Sequence, residues 1–79
     1  MEQTLADISV GERGAVLGFT KGTQVYRQKL LAMGLINGTE FVVARVAPMG
    51  DPVEIRVRDY NLSLRKDEAK ALLVRRVDQ

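Results

Sequence analysis

The sequence predicts a small, mainly β barrel of about five short strands, with one short inserted helix and a helical turn near its C-terminus. Three observations lead there. Val53, Ile55 and Val57 alternate with Glu54, Arg56 and Arg58, the period of a half-buried strand. Tyr26, Leu30 and Met33 fall at i, i+4 and i+7, one face of a helix. The remaining apolar runs are short, rich in β-branched residues and separated by Gly, Pro and Asn, all within 79 residues. So many short strands would leave exposed edges in an open meander, and closure into a barrel removes them.

Each element has its own signal. Gly11 and Gly14 bracket a charged turn, and Ala15–Phe19 reads as the first strand. Gly18 interrupts its alternation, which predicts a bulge that turns both Val16 and Phe19 inward. Lys21-Gly22-Thr23 breaks the strand. Thr23 is the expected N-cap of a helix of about three turns, and Gly34 the left-handed residue that ends it. Lys29 near the helix C-terminus suits the macrodipole.

Asn37-Gly38 predicts a tight turn into a strand over Glu40–Ala47, with Phe41 and Val43 inward. Pro48-Met49-Gly50-Asp51-Pro52 is dense in breakers and reads as a loop. After Val53–Val57, Asp59-Tyr60-Asn61 is the expected hairpin connection, and Leu62 and Leu64 resume the alternation. Asp67 is the expected cap of a helical turn over Asp67–Ala71, and Leu72–Val77 closes the chain as a strand. The pattern is that of an SH3-like barrel carrying an inserted helix.

Composition bounds the function. The length suits one domain, residues 1–79, with no second core. There is no Cys and no His. Disulfides, thiolate sites and imidazole ligands are thereby excluded, and no cofactor is implied. The carboxylate groups Asp51/Glu54, Asp59 and Asp67/Glu68 interleave with Arg56, Arg58, Arg65 and Lys66. Solvated or ion-paired faces explain them better than a metal site. A nucleophile would lack its usual activating base, and there is no phosphate-binding G-x-x-x-x-G-K-[ST] loop, so no enzyme is expected. An arginine donated to another protein's GTPase, from Arg27, Arg45 or Arg65, is chemically allowed but unmarked in sequence. The acidic N-terminus does not resemble a signal peptide, and apolar runs such as Phe41–Ala44 are far too short to cross a bilayer, so a cytosolic domain is expected. Net charge is only +2, with the two signs interleaved.

Several segments, in order, resemble the ferrous iron transport protein A (FeoA) family. They are Tyr26–Leu35, Gly38-Thr39, Ala47–Pro52, Leu62–Lys66 and Ala69. Each is ordinary turn and core chemistry, and the specificity lies in their order and spacing. The resemblance implies an SH3-like barrel with the helix between the first two strands. It also implies a partner, the cytosolic GTP-binding domain of the Fe²⁺ transporter FeoB. The family often has Pro where this chain has Asn37. A similar barrel ends the iron-dependent repressors, which carry a helix-turn-helix domain ahead of it; that reading is not adopted.

The expected partner surface comprises Arg27, Leu31, Leu35, Ile36, Pro48, Met49 and Asp51. Tyr26, Leu30 and Met33 form the helix's core stripe, so Leu31, Leu35 and Ile36, off or beyond it, are the expected apolar patch. Met49 adds a flexible apolar side chain at a loop tip. Arg27 and Lys29 supply a polar rim that steers an acidic partner. The alternative is a nucleic-acid-binding barrel. It would need exposed aromatics along a basic groove, and here only Tyr26 and Tyr60, far apart in sequence, lie outside the expected core. Arg56, Arg58, Arg75 and Arg76 would line one face only if their strands paired, and the acids among them favour a solvated face.

Overall fold

The computed structural model describes residues 3–22 and 24–77. Six antiparallel strands and two helices follow in the order β1 (Gln3–Thr4), β2 (Arg13–Phe19), α1 (Gln24–Ala32), β3 (Glu40–Val46), β4 (Val53–Val57), β5 (Tyr60–Leu64), α2 (Lys66–Ala71) and β6 (Leu72–Arg76). One sheet contains them all, in the spatial order β1-β6-β2-β3-β4-β5. The sheet bends around a single core, and α1 enters between β2 and β3.

Alternation decides which residues line that core. Val16, Phe41, Val43, Val53, Ile55, Val57, Leu64, Leu72 and Val74 are all buried. Leu5 and Ile8 join them from the N-terminal segment, Leu30 from α1 and Leu35 from just beyond it, and Ala69 and Ala71 from α2. The predicted bulge is present. Val16 pairs with Val74 and Gly18 with Leu73, so Leu17 is the extra residue. Its insertion resets the parity, so Phe19, opposite Leu72, packs against the core as Val16 does. Leu17 is left exposed. A second register shift between Val43 and Arg45 sets Ala44 outside the ladder to β4.

Gly34 ends α1 with φ +89°. The Leu35 N–H then reaches back to the Leu30 carbonyl at 3.1 Å, and Gly34 N–H to that of Leu31 at 3.0 Å. A Cβ at Gly34 would also lie 2.7 Å from the Tyr60 hydroxyl. That hydroxyl donates to the Met33 carbonyl at 3.1 Å, which ties the β4–β5 hairpin to the helix end. The next turn is closed by Thr39 N–H to Ile36 O at 3.0 Å, with Gly38 at φ +91° in its third position. That is the type II arrangement, which favours Pro at Asn37.

Several boundaries differ from expectation. There are six strands because Gln3–Thr4 pairs with Val74 and Leu73; two residues carry no periodicity to read. The first long strand begins at Arg13 rather than Ala15. Val57 pairs with Tyr60, so the hairpin turns on Arg58-Asp59, with Arg58 at φ 51°, and Tyr60 and Asn61 belong to β5. Helix α2 starts at Lys66, and Asp67 does not cap it. Glu68 does, accepting the Arg65 N–H at 2.8 Å, while Asp51 Oδ1 accepts the Lys66 N–H at 3.3 Å. Among the described residues no ladder joins β1 to β5, so the barrel is completed by core packing and helices rather than by a continuous hydrogen-bonded ring. The expected cap Thr23 lies outside the described residues.

Two substitutions next to each other should act in opposite directions. Asn37 N–H donates no hydrogen bond among the described residues, so Asn37→Pro should stabilise the fold by about 0.4–1 kcal/mol through the unfolded chain. Gly34→Ala forces a side chain into left-handed backbone and against Tyr60, and should destabilise by more than about 1 kcal/mol. Urea unfolding midpoints at constant m report both.

Candidate functional site

Helix α1 has a sharply divided surface. Leu30 is fully buried, and Tyr26 and Met33 pack partly against the core. The opposite side presents Val25 at 83% exposure and Leu31 at 38%. Arg27 lays its guanidinium 5.8 Å from the centroid of the Phe19 ring, a cation–π contact that holds the side chain along the barrel wall. Between helix and barrel runs a shallow groove of about 470 Å³, lined by Gly18, Phe19, Lys21, Arg27, Leu31 and Asn37 among others. Ile36, next to Asn37, is 56% exposed. The groove is a mixed apolar and basic surface, with no buried polar side-chain atom left unpaired among the described residues.

The expected partner residues separate into two places. Arg27 and Leu31 line the groove, and Ile36 adjoins it. Leu35 does not belong with them. It is fully buried, because the left-handed turn at Gly34 swings it back under Leu30. Pro48, Met49 and Asp51 are exposed and contribute nothing to the groove. Met49 is 90% exposed at φ 69°, an unusual conformation for a residue with a side chain. Asp51 and Pro52 instead share a cleft with Lys29, Ser63, Arg65 and Glu68.

That cleft is structural in character. Lys29 Nζ forms an ion pair with Glu68 Oε2, which joins α1 to α2. Lys29 therefore does not serve the rim expected for it beside Arg27. Glu68 is 4% exposed as a residue. Burial pushes its carboxyl upward, but the hydrogen bonds from Lys29 and from the Arg65 N–H outweigh this and hold it below its ordinary value of 4.5. No sequence signal marked Glu68 as the residue joining the helices.

Arg56, Arg58, Arg75 and Arg76 could line one face only if their strands paired, and they do not. Strands β4 and β6 are separated by β2 and β3, and Arg76 lies 3.6 Å from Glu12. Among the described residues no three of Asp, Glu, His or Cys gather as a metal would need, and no helix is long and apolar enough to cross a membrane.

A family model, the FeoA domain, matches residues 3–76. The chain belongs to the FeoA family. A FeoA-like protein of Clostridium acetobutylicum has a solved structure that matches at a TM-score of 0.86 and 38% identity, covering 99% of this chain and 90% of that one. The zinc-complexed FeoA of Stenotrophomonas maltophilia, described as a prokaryotic SH3-domain protein, matches at 0.78 and 22% over 92% and 89% of the two chains. At that identity the likeness shows the fold alone, and the fold is SH3-like. Among curated proteins, an Fe²⁺ transport protein A/FeoB fusion of Porphyromonas gingivalis is 37% identical over 70 residues, which is 89% of this chain. The chain spans only 8% of that relative's length. The curated relative is described as an Fe²⁺ transport protein, and a matched structure from Clostridium thermocellum as an iron(II) transport protein A.

The depressed Glu68 carboxyl gives a pH dependence with a definite sign. Because its folded value lies below 4.5, the contribution is fully present above that pH and is lost as pH falls through the folded value. Urea unfolding of the wild type should therefore weaken on acidification from about pH 6 to about pH 3. Glu68→Gln should be less stable at neutral pH and show a shallower decline.

Proposed function

We propose that this domain is a cytosolic accessory protein of ferrous iron uptake. In this reading it binds the GTP-binding domain of FeoB through the groove between α1 and the barrel, and performs no chemistry itself. The observation that carries the reading is the P. gingivalis fusion, in which a FeoA relative and FeoB form one polypeptide. Covalent linkage of two modules makes their encounter intramolecular, an arrangement suited to modules that act together.

The surface is suited to such a role. Val25, Leu31 and Ile36 offer apolar area outside the core, and Arg27 and Lys21 border it. Met49, held outward, is a candidate second contact on the loop beside α2. Regulation needs only a modest coupling between docking and the nucleotide state, about 1–3 kcal/mol. A domain that binds the GTP-like and GDP states unequally would shift the cycle, and one that binds both equally would act as a scaffold. The nucleic-acid reading gains little from the aromatics: Tyr26 packs partly on the core, and the exposed Tyr60 donates its hydroxyl to the Met33 carbonyl and lines neither groove.

The test is a titration of the purified domain with the cytosolic domain of its cognate FeoB, in GTP-like and GDP-bound forms. Leu31→Asp should weaken binding by about tenfold or more while the variant keeps a folded, dispersed amide spectrum. Wild-type affinity retained by both Leu31→Asp and Met49→Asp would remove this surface from the interaction.

A further inference from the structure

The outer face of the sheet carries a second groove. Arg13 on β2 pairs with Val42 on β3, and Val42 pairs in turn with Arg56 on β4, so the three stand in one row across three strands. Arg58 joins them along a groove of about 450 Å³, in which Glu40 is the one acid. None of the three arginines forms an ion pair among the described residues; Lys29–Glu68 and Arg76–Glu12 are the pairs found there. Three guanidiniums around one carboxylate leave the groove positive in a domain of net charge only +2.

This groove adjoins the one at α1. Gly38 lines the arginine groove and Asn37 the α1 groove, so the Ile36–Thr39 turn is their shared wall. We propose that the Arg13–Arg56–Arg58 groove receives an acidic segment of the protein partner, whose neighbouring apolar side chain enters the Arg27–Leu31 groove. The inference rests on the docking reading above and specifies the chemistry of the partner.

The occupant follows from charge complementarity and from what the groove lacks. Guanidinium forks match carboxylates in paired hydrogen bonds. Three arginines fall short of the about four to eight clustered basic residues that mark anionic-lipid binding. The aromatic in the wall, Phe41, is 2% exposed and offers no platform for a nucleobase. Glu40, which lines the groove beside that row, repels a polyphosphate more than it does spaced side-chain carboxylates.

The direct probe is a synthetic peptide of one leucine followed by five glutamates, titrated into the isotope-labelled domain and followed by amide chemical shifts. Shifts should appear at Arg13, Thr39–Val42 and Arg56–Arg58, and extend across the turn to Asn37 and Leu31. Binding should weaken as salt rises, and Arg56→Glu/Arg58→Glu should weaken it by about tenfold or more. Should that variant lose its dispersed spectrum, Arg56→Gln/Arg58→Gln replaces it, with a smaller loss expected. Shifts located elsewhere, an affinity unchanged in the folded variant, or stronger binding of phosphatidylglycerol vesicles or oligouridylate by the same residues would overturn the proposal. The cognate FeoB cytosolic domain separates this failure from that of the docking reading. Binding lost in Leu31→Asp but untouched by Arg56→Gln/Arg58→Gln leaves docking standing and removes the acidic segment, and indifference to all of them removes both.

Discussion

Burial of Leu30 and Leu35 on either side of the Gly34 turn is the constraint on which the rest of the surface depends. The two side chains sit fully inside the barrel, and the left-handed residue between them reverses the chain in the space of one turn. Once both are inside, α1 has no rotational freedom. Tyr26 and Met33 must lean on the core, and Val25, Arg27 and Leu31 must face away from it. The Ile36–Thr39 turn is then held against β2 by Gly38 N–H to Val16 O at 2.7 Å and Val16 N–H to Thr39 O at 2.8 Å. Core packing thus places the groove, and Phe19 is the lining residue that also packs against the core.

Polar contacts lock the same arrangement from outside. Tyr60 anchors the end of α1 to the hairpin, and the Lys29–Glu68 pair anchors its flank to α2. Glu68 serves two purposes at once, since its other oxygen caps α2 through the Arg65 N–H. A buried carboxylate with this much compensation is tolerable, whereas the same group left unpaired would oppose folding. Asp51 extends the system by satisfying the Lys66 N–H, so the Pro48–Pro52 loop is tied to α2 even though Met49 projects freely. The rigid frame and the exposed apolar tips are therefore separate sets of residues.

The repeating features were legible in the chain itself. Val53, Ile55 and Val57 show a strand because period two survives wherever one face is buried and the other wet. Gly18 signalled a bulge because alternation failed at that point, and Gly34 signalled a helix stop because few other residues adopt its backbone. Leu35 was misplaced on the surface because a helix-face argument ends with the helix. Beyond Gly34 the direction of the next side chain is set by the turn, not by the 3.6-residue period. Strand β1 was invisible, since two residues pair only because β6 is already there to receive them.

The sequence by itself determined the mainly β class, the inserted helix, the inward residues and the absence of imidazole and thiolate chemistry, because each depends on residue type and local period. Tertiary structure alone decided that Arg13 and Arg56 share a row, that the α1 and arginine grooves meet at one turn, and that Lys29 is committed to Glu68. Those relations join residues far apart in the chain. Only strand register and helix packing bring such residues together, and no local pattern encodes them.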